Sequence, residues 1–275
     1  MTGRRKWVSG VLSAVMLFLA AIVGLPFYYI VVNTLKTQQE TGSAPLGLPS
    51  QLFFDNYVAV FQSIPILQNF LNTLYLTVFS VVLMLLVGSM AAYAMIMRQS
   101  RLNRMFGAAL LLAFMVPFQS TLIPLYQMLA RVQLVDSLNG LVVMYSAGSI
   151  FCYFLILGYM KTVPFEIVEA ARIEGCGTFG IYWHIILPLI RPIMVTVAVF
   201  QTMWVWNDFI TPTIFLSSAS NKTLVLQVYS AVGQFSVNWP AFMTLTVIVL
   251  FPVVVFFVAM QKHIVSGLVS GGVKG

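Results

Sequence analysis

The carboxylates of one polar segment, residues 166–192, are the side chains in this sequence with the clearest potential for chemistry. Three of the seven acidic residues of the chain, Glu166, Glu169 and Glu174, lie within nine positions of this segment. Glu166 and Glu169 are three positions apart, which places them on one face of a helix. Carboxylates so placed can make charge-assisted hydrogen bonds to a basic partner. We interpret the polar segment as a docking element, and the alternative is an ordinary solvated loop.

The remaining reactive side chains do not form a recognisable group. His184 and His263 each lack a companion at the spacing of metal ligands. Cys152 falls in an apolar run and Cys176 in the polar segment, so the two are predicted not to pair and to serve as packing residues. No paired catalytic residues occur in the apolar runs, which argues against an intramembrane enzyme. We predict no catalytic residue and no metal site.

The composition of the chain is that of an integral membrane protein. Of its 275 residues 60% are hydrophobic and 8% are charged, and the mean hydropathy is +0.95. A soluble domain carries roughly 25% charged residues. The net charge of +7 is better explained by membrane topology than by a nucleic-acid partner, and we expect the lipid bilayer as the surroundings and no nucleic acid.

The apolar runs predict an all-α fold with six transmembrane helices in a single transmembrane domain, residues 1–275. Pro117 and Pro124 are expected to bend the third helix. The predicted spans are about 7–32, 70–97, 106–129, 138–160, 189–216 and 240–260. The predicted loops are 33–69, 130–137 and 217–239 on one side of the membrane and 161–188 on the other.

The distribution of basic residues predicts the orientation, because Lys and Arg accumulate on the cytoplasmic side of membrane proteins. The six-helix topology places eleven basic residues on the side of the termini and three on the other side. The eleven are Arg4, Arg5, Lys6, Arg98, Arg101, Arg104, Lys161, Arg172, Arg191, Lys262 and Lys274, and the three are Lys36, Arg131 and Lys222. Both termini and the polar segment are therefore predicted to be cytoplasmic. The loops 33–69, 130–137 and 217–239 are predicted to be external.

Local signals predict a bent pair of short helices in the polar segment. Good helix formers and acidic residues over 165–174 favour a first helix. Gly175 and Gly177 are expected to end this helix, because glycine accepts the left-handed conformation of a C-terminal cap. Thr178 is expected to cap a second helix that continues to about residue 187.

Here the sequence resembles a known family, the permeases of binding-protein-dependent ABC importers. The resemblance lies in Glu169-Ala170-Ala171 followed by Gly175 and by Ile185, Leu187 and Pro188, which is similar to the E-A-A loop of that family. Glu174 stands where aspartate is usual and Tyr182 where phenylalanine is common. Three further stretches resemble the carbohydrate-importer subfamily that contains the six-helix maltose permease subunit: W-N-D-F at 206–209, N-T-L at 72–74 and the tail 267–275.

The resemblance implies a type I ABC importer permease fold and transport of a carbohydrate by alternating access across the bacterial inner membrane. It implies an ABC ATPase dimer at the cytoplasmic face, a second and different permease subunit, and an extracytoplasmic solute-binding protein that contacts loops 33–69 and 217–239. ATP and magnesium are expected on the ATPase, since this chain has no G-x-x-x-x-G-K-[ST] phosphate loop. The coupling residues implied are Glu166, Glu169, Ala170, Ala171, Glu174, Gly175, Ile185, Leu187 and Pro188, with Glu169 making the main charged contact.

Polar residues inside the predicted spans are candidates for a sugar-binding cavity. They are Gln119, Ser120, Gln127, Gln201, Trp204, Asn207 and Asp208. Polar contacts between helices are the alternative for all of them, and Asp208 can equally bind only neighbouring helices. An ATP-independent secondary transporter or channel is the alternative function. It would need ionisable coupling groups at mid-membrane or an inverted repeat, and Asp208 is the only acidic residue within a predicted span.

Overall fold

The computed structural model describes residues 2–98, 100–164, 166–234 and 238–272, and within these ranges the secondary structure is helical with no strand. The predicted all-α class is confirmed. Phe165, residues 235–237 and residues 273–275, which entered the predictions above, lie outside the described residues. The α-helices are α1 (Thr2–Asn33), α2 (Gln38–Ser43), α3 (Asp55–Ser63), α4 (Ile66–Met97), α5 (Arg101–Met115), α6 (Phe118–Arg131), α7 (Leu138–Tyr145), α8 (Ser149–Met160), α9 (Glu166–Ile173), α10 (Thr178–Ile181), α11 (Leu187–Leu189), α12 (Arg191–Asn207), α13 (Ile210–Phe215), α14 (Leu224–Gln234) and α15 (Trp239–Gly272). Short 3₁₀ turns occupy Ser146–Gly148 and Ala219–Asn221, and a π-helix occupies Tyr182–Ile186.

Four helical stretches of the described chain are long and apolar enough to cross a membrane. They are Val8–Asn33, Ile66–Met97, Leu138–Met160 and Trp239–Lys262. Two bent pairs would raise the number to six if each pair is one span: Arg101–Met115 with Phe118–Arg131, and Thr178–Leu189 with Arg191–Asn207. A membrane protein with several spans follows from these lengths.

The two bends occur where proline interrupts the helices. The angle between α5 and α6 is 100°, at Val116 and Pro117. Val116 is extended (φ −73°, ψ 122°), as expected for a residue before proline. Pro117 therefore turns the chain, as predicted, but more sharply than a kink within one helix, whereas Pro124 lies inside α6.

The predicted span over 189–216 is divided in the structure. Helix α12 ends at Asn207, and Asp208 has extended geometry (φ −67°, ψ 128°). The side chain of Asp208 then accepts a hydrogen bond from the backbone N–H of Thr211 at 3.3 Å. A carboxylate that accepts such a bond favours the start of a new helix, and α13 begins two residues later, at Ile210.

The chain forms two compact units, Met1–Ile66 with Gln227–Pro252 and Leu67–Leu226 with Val253–Gly275. In the first unit, the predicted loop 33–69 contains α2 and α3. Lys36 is fully buried there, and its ammonium donates to the carbonyl of Ala44 at 2.7 Å. The amide of Asn56 donates to the carbonyls of Thr34 and Lys36, both at 2.9 Å. The loop is thus a hydrogen-bonded structure rather than an irregular connection.

In the second unit, α4 and α8 pack closely at Gly88. A Cβ added to Gly88 would lie 2.6 Å from the Cβ of Cys152 and 2.9 Å from the carbonyl oxygen of Ser149. Only glycine therefore permits this approach of the two helices. Cys152 is buried here, as a packing residue should be, whereas Cys176 is exposed.

The loop before α7 is held by Asp136, which has a positive φ of 56°. Its carboxylate accepts a hydrogen bond from the hydroxyl of Ser218 and from the backbone N–H groups of Ser217 and Ser218, each at 3.0 Å. The amide of Asn221 donates to the backbone carbonyl of Asp136 at 2.6 Å. The Ser218 hydroxyl bond, with the other donors, holds the pKa of the Asp136 carboxyl well below its usual range. The carboxylate thus fixes residues 215–221 against this loop.

Candidate coupling segment and substrate cavity

Helix α9 ends at a glycine cap. Gly175 has a φ of +85°, and its N–H donates to the carbonyl of Arg172 at 3.0 Å. The N–H of Cys176 donates to the carbonyl of Ala171 at 2.9 Å. This pair of bonds is a Schellman motif, and the prediction that Gly175 ends the first helix is confirmed.

The second helix of the polar segment begins differently from the prediction. Gly177 has extended geometry (φ −69°, ψ 160°) and occupies the cap position of α10, so Thr178 is the first helical residue and not the cap. The reason is that the Schellman turn ends at Cys176, which leaves the next residue extended. The carbonyl of Thr178 accepts a hydrogen bond from the hydroxyl of Tyr93 at 2.9 Å.

Helix α9 has one exposed and one buried face. Glu166, Glu169, Ala170 and Ile173 are exposed and follow the spacing i, i+3, i+4 and i+7 of one helical face. We call these four residues the outer stripe. Ile173 is a large apolar residue and is 87% exposed, so the outer stripe combines two carboxylates with an apolar side chain.

The opposite face of α9 is buried and includes Val168 and Ala171. The two adjacent alanines of the E-A-A pattern therefore lie on different faces of α9, with Ala170 exposed and Ala171 buried. Glu174 and Pro188 are exposed as well, whereas Ile185 and Leu187 are half-buried and pack against the hydrophobic core. Ala171, Ile185 and Leu187 thus hold the segment in place, and the outer stripe remains available to a partner.

The polar segment is attached to the end of α4. Besides the Tyr93 bond to Thr178, the hydroxyls of Ser89 and Tyr182 are hydrogen-bonded at 2.7 Å. The rings of Tyr93 and Tyr182 are 5.4 Å apart. These contacts connect the segment to the helix Ile66–Met97, a connection that the sequence did not indicate.

The polar segment continues into α12 through the π-helix and Pro188. The N–H of Leu187 donates to the carbonyl of Tyr182, five residues earlier, which is the bonding of a π-turn. The chain then bends by 76° between Thr178–Leu189 and Arg191–Asn207. The break lies at Ile190 (φ −88°, ψ 3°), and Pro192 in the first turn of α12 has no N–H to continue the α-helical bonding.

Two of the seven cavity candidates line one cavity of about 790 Å³. Gln201 and Trp204 share it with Thr121 and the aromatic rings of Phe118, Phe151 and Phe200. The amide of Gln201 lies 3.4 Å from the carbonyl of Gly148. Trp204 is exposed, and its ring packs edge-to-face with that of Tyr145, with the ring centroids 5.3 Å apart. Amide and aromatic groups in one cavity are suited to a hydroxyl-rich ligand.

The other five candidates do not line this cavity. Gln119, Ser120 and Gln127 are exposed on α6, and the hydroxyl of Ser120 donates to the carbonyl of Pro117 at 2.7 Å. The amide of Asn207 donates to the carbonyl of Met203 at 2.8 Å. These bonds are local to their own helices or turns.

Both carboxylate oxygens of Asp208 are engaged within the chain. The hydroxyl of Tyr145 donates to one of them at 2.7 Å, and the N–H of Thr211 approaches the other at 3.3 Å. Asp208 is partly buried, and a carboxylate that is removed from water needs such partners. The geometry is that of an interhelical contact, and a role in binding substrate stays a prediction.

Comparison with known proteins gives the class. Residues 84–270 match the family model described as binding-protein-dependent transport system inner membrane component. The chain belongs to this family, and the resemblance inferred from the E-A-A pattern is confirmed.

The relatives that match over nearly their whole length include two bacterial permeases. The chain is 36% identical to the probable starch degradation products transport system permease protein AmyC of Thermoanaerobacterium thermosulfurigenes, over 94% of this chain and 95% of that protein. It is 31% identical to the melibiose/raffinose/stachyose import permease protein MelC of Bacillus subtilis strain 168, over 95% and 96% of the two chains.

The fold is also found in a solved structure. A chain of a bacterial ABC transporter involved in the import of the acidic polysaccharide alginate superposes with a TM-score of 0.82 at 22% identity, covering 95% of this chain and 98% of that chain. At this identity the likeness concerns the fold, and it agrees with the predicted permease fold.

Proposed function

We propose that this chain is a permease subunit of an ATP-driven ABC importer and forms part of the pathway for a carbohydrate across the bacterial inner membrane. The family and the names of the relatives support this function. The observation that carries it is the construction of the polar segment: one face of α9 is exposed as the outer stripe, while the rest of the segment is bonded to a membrane-length helix.

The proposed topology has six spans, with both termini and the polar segment in the cytoplasm and residues 1–275 as one permease domain. Four membrane-length stretches and two bent pairs support it, as does the excess of basic residues on the side of the termini. In this topology the outer stripe faces an ABC ATPase dimer, which binds ATP and magnesium. This chain itself binds neither.

We expect the outer stripe to be seated in a groove of the ATPase. Glu166 and Glu169 would accept charge-assisted bonds, Ala170 would permit close approach and Ile173 would become buried. When the ATPase pair closes, α9 moves with it as a rigid body. The bonds of Tyr93 and Ser89 would then carry the displacement into α4, and the bend at Ile190 would carry it into α12.

The cavity lined by Gln201 and Trp204 is the proposed part of the translocation pathway. The amide of Gln201 can exchange its long contact with the Gly148 carbonyl for a sugar hydroxyl, and Trp204 offers an exposed ring face for stacking. Gln119, Ser120, Gln127, Asn207 and Asp208 would enter the pathway only in another conformation of alternating access.

The remaining proposed partners are a second, different permease subunit and an extracytoplasmic solute-binding protein. A solved structure of the alginate transporter in complex with a periplasmic protein that holds an alginate pentasaccharide supports the latter, with a TM-score of 0.60 to this chain. The loops 33–69 and 217–239 are the proposed contact surfaces, and the hydrogen-bonded structure within 33–69 gives a partner a defined shape to recognise.

Substitutions in the outer stripe test the docking proposal. Ile173→Ser should weaken ATPase binding roughly tenfold or more, since burial of a large aliphatic side chain contributes about 1.5–3 kcal/mol. Glu169→Lys should also weaken it. Asp55→Lys, a charge reversal at an exposed residue of α3 on the other proposed side of the membrane, is the control for ATPase binding alone and should bind the ATPase with wild-type affinity.

The measurement is the dissociation constant of the ATPase from the permease in nanodiscs, together with sugar uptake into proteoliposomes. If Ile173→Ser and Glu169→Lys both bind the ATPase with wild-type affinity and support normal uptake, the outer stripe is not the docking surface.

A further inference from the structure

A groove of about 820 Å³ lies between the C-terminal ends of α4 and α8 and the N-terminal turns of α5. Met97, Arg104, Gly107, Tyr153, Met160 and Lys161 are among the residues that line it. Because Ile66–Met97 and Leu138–Met160 are membrane-length stretches that end here, the groove lies at the depth of the lipid headgroups. It is separate from the cavity of Gln201 and Trp204.

The groove is positively charged and lacks a counterion from the protein. Arg104 and Lys161 are exposed, and no acidic residue is among those that line the groove. Neither cation has an ion-pair partner within the part of the chain that the structure describes. Two unpaired cations in one concave site attract an anion.

The hydroxyl of a buried tyrosine points to a ligand independently of the charge. Tyr153 is only 3% exposed and lines the groove, and its hydroxyl has no hydrogen-bond partner among the described residues. The hydroxyl lies beside Gly107, where an added Cβ would be 3.4 Å away. The hydroxyl is therefore held by a buried side chain at the wall of the groove, and an oxygen of a bound ligand would accept a hydrogen bond from it.

We propose that this groove binds the headgroup of an anionic phospholipid. The lipid phosphate would contact Arg104 and Lys161, and Tyr153 would donate to a phosphate or glycerol oxygen. The surroundings favour a lipid over a free phosphate, because Leu102, Met105 and Phe106 on the adjacent turns of α5 are 62–70% exposed and offer apolar surface to acyl chains. Basic grooves between membrane helices are known to bind anionic headgroups.

The site requires only that α4 and the stretch 138–160 cross the membrane, and it does not depend on the ATPase contact. In the proposed topology it belongs to the cytoplasmic leaflet. Met97, Met160 and Val163 border both this groove and the space under α9, so a bound lipid would support the helix ends on which the polar segment rests.

The test compares nanodiscs of phosphatidylcholine alone with nanodiscs that also contain phosphatidylglycerol. Native mass spectrometry measures retained phosphatidylglycerol, and thermal unfolding measures its stabilising effect. Arg104→Gln and Lys161→Gln should each weaken retention about fivefold, the effect of one basic residue at a membrane surface. Arg101→Gln is the matched control, because Arg101 is exposed one turn earlier on α5 but does not line the groove.

Tyr153→Phe separates a binding role from a structural one. Since the hydroxyl makes no bond within the described protein, its removal should leave the unfolding temperature in phosphatidylcholine unchanged or raised. Phosphatidylglycerol retention should fall roughly two- to tenfold, the range expected for one hydrogen bond. A variant that is destabilised in phosphatidylcholine and retains the lipid normally would overturn the assignment.

Three other results would also overturn it. If Arg101→Gln and Arg104→Gln reduced the retention of phosphatidylglycerol by the same amount, the lipid would respond to the overall surface charge and not to this groove. Competition by soluble inorganic phosphate at the same concentration as the lipid would show a phosphate site and not a lipid site. A loss of ATPase affinity in Arg104→Gln that is the same in both nanodiscs would show that a protein partner occupies the groove.

Discussion

Replacing Gly175 with alanine should weaken docking of the ATPase, whereas the same replacement at Gly177 should not. Gly175 has a φ of +85°, and Gly177 a φ of −69°. A Cβ at either position would meet nothing within 4 Å. The two substitutions therefore add the same methyl group in open space and differ in the backbone conformation that the new residue must adopt.

The magnitude follows from that difference. A left-handed conformation costs a non-glycine residue about 1–2 kcal/mol, which lowers the population of the bent form relative to other forms roughly 5- to 30-fold. If only the bent form presents the outer stripe correctly, the apparent Kd of the ATPase rises by up to that factor. Gly177→Ala fits an extended conformation and should be neutral or slightly stabilising.

The assay is a titration of labelled ATPase onto the permease in nanodiscs, with thermal unfolding of the permease as the check on global stability. An unchanged Kd for Gly175→Ala would refute the requirement for the glycine cap. An equal loss in Gly177→Ala would refute it as well, because any added methyl group would then suffice.

Two further predictions concern the polar contacts of the second unit. Asp136→Asn should lower the unfolding temperature at neutral pH. Because the pKa of Asp136 is depressed in the folded protein, the stabilisation by its carboxylate is complete above the ordinary aspartate pKa of about 4 and is lost as the pH falls below that value. A difference in unfolding temperature between the two proteins that stays constant down to strongly acidic pH would contradict the role of the charged form. Tyr145→Phe should lower the free energy of unfolding by about 1–3 kcal/mol, because it leaves an oxygen of Asp208 without its donor. Asp208→Asn keeps an acceptor at this place, so it should lower the free energy of unfolding by less and leave uptake unchanged. Loss of uptake by a stable, assembled Asp208→Asn protein would assign Asp208 to the transport pathway.

The features that the sequence predicted are those with local causes. Gly175 ends α9 because its backbone must be left-handed, and Pro117 breaks the third predicted span because proline cannot continue a helix. The apolar runs gave the membrane-length stretches for the same reason, since composition over about 20 residues decides whether a helix can cross a bilayer.

The features that were missed depend on contacts between residues distant in sequence. The bonds of Tyr93 to Thr178 and of Ser89 to Tyr182 join residues 85 and 93 positions apart, and no spacing in the sequence marks them. Ile173 was detectable, because it lies seven residues after Glu166 on the same helical face. The division of the predicted span 189–216 at Asp208 was not detectable from the sequence, since a carboxylate in an apolar run can serve either as a helix cap or as a functional group.

ATP-driven uptake tests the central claim most directly. The chain would be reconstituted into proteoliposomes with its proposed permease, ATPase and binding-protein partners. Uptake of a labelled oligosaccharide would be measured with ATP, or with a non-hydrolysable analogue, on the side of the membrane that the ATPase faces. The importer function predicts uptake with ATP, none with the analogue, and no effect of dissipating ion gradients. Uptake that continues without hydrolysis, or that follows an imposed ion gradient, would contradict it and favour an ATP-independent transporter or channel.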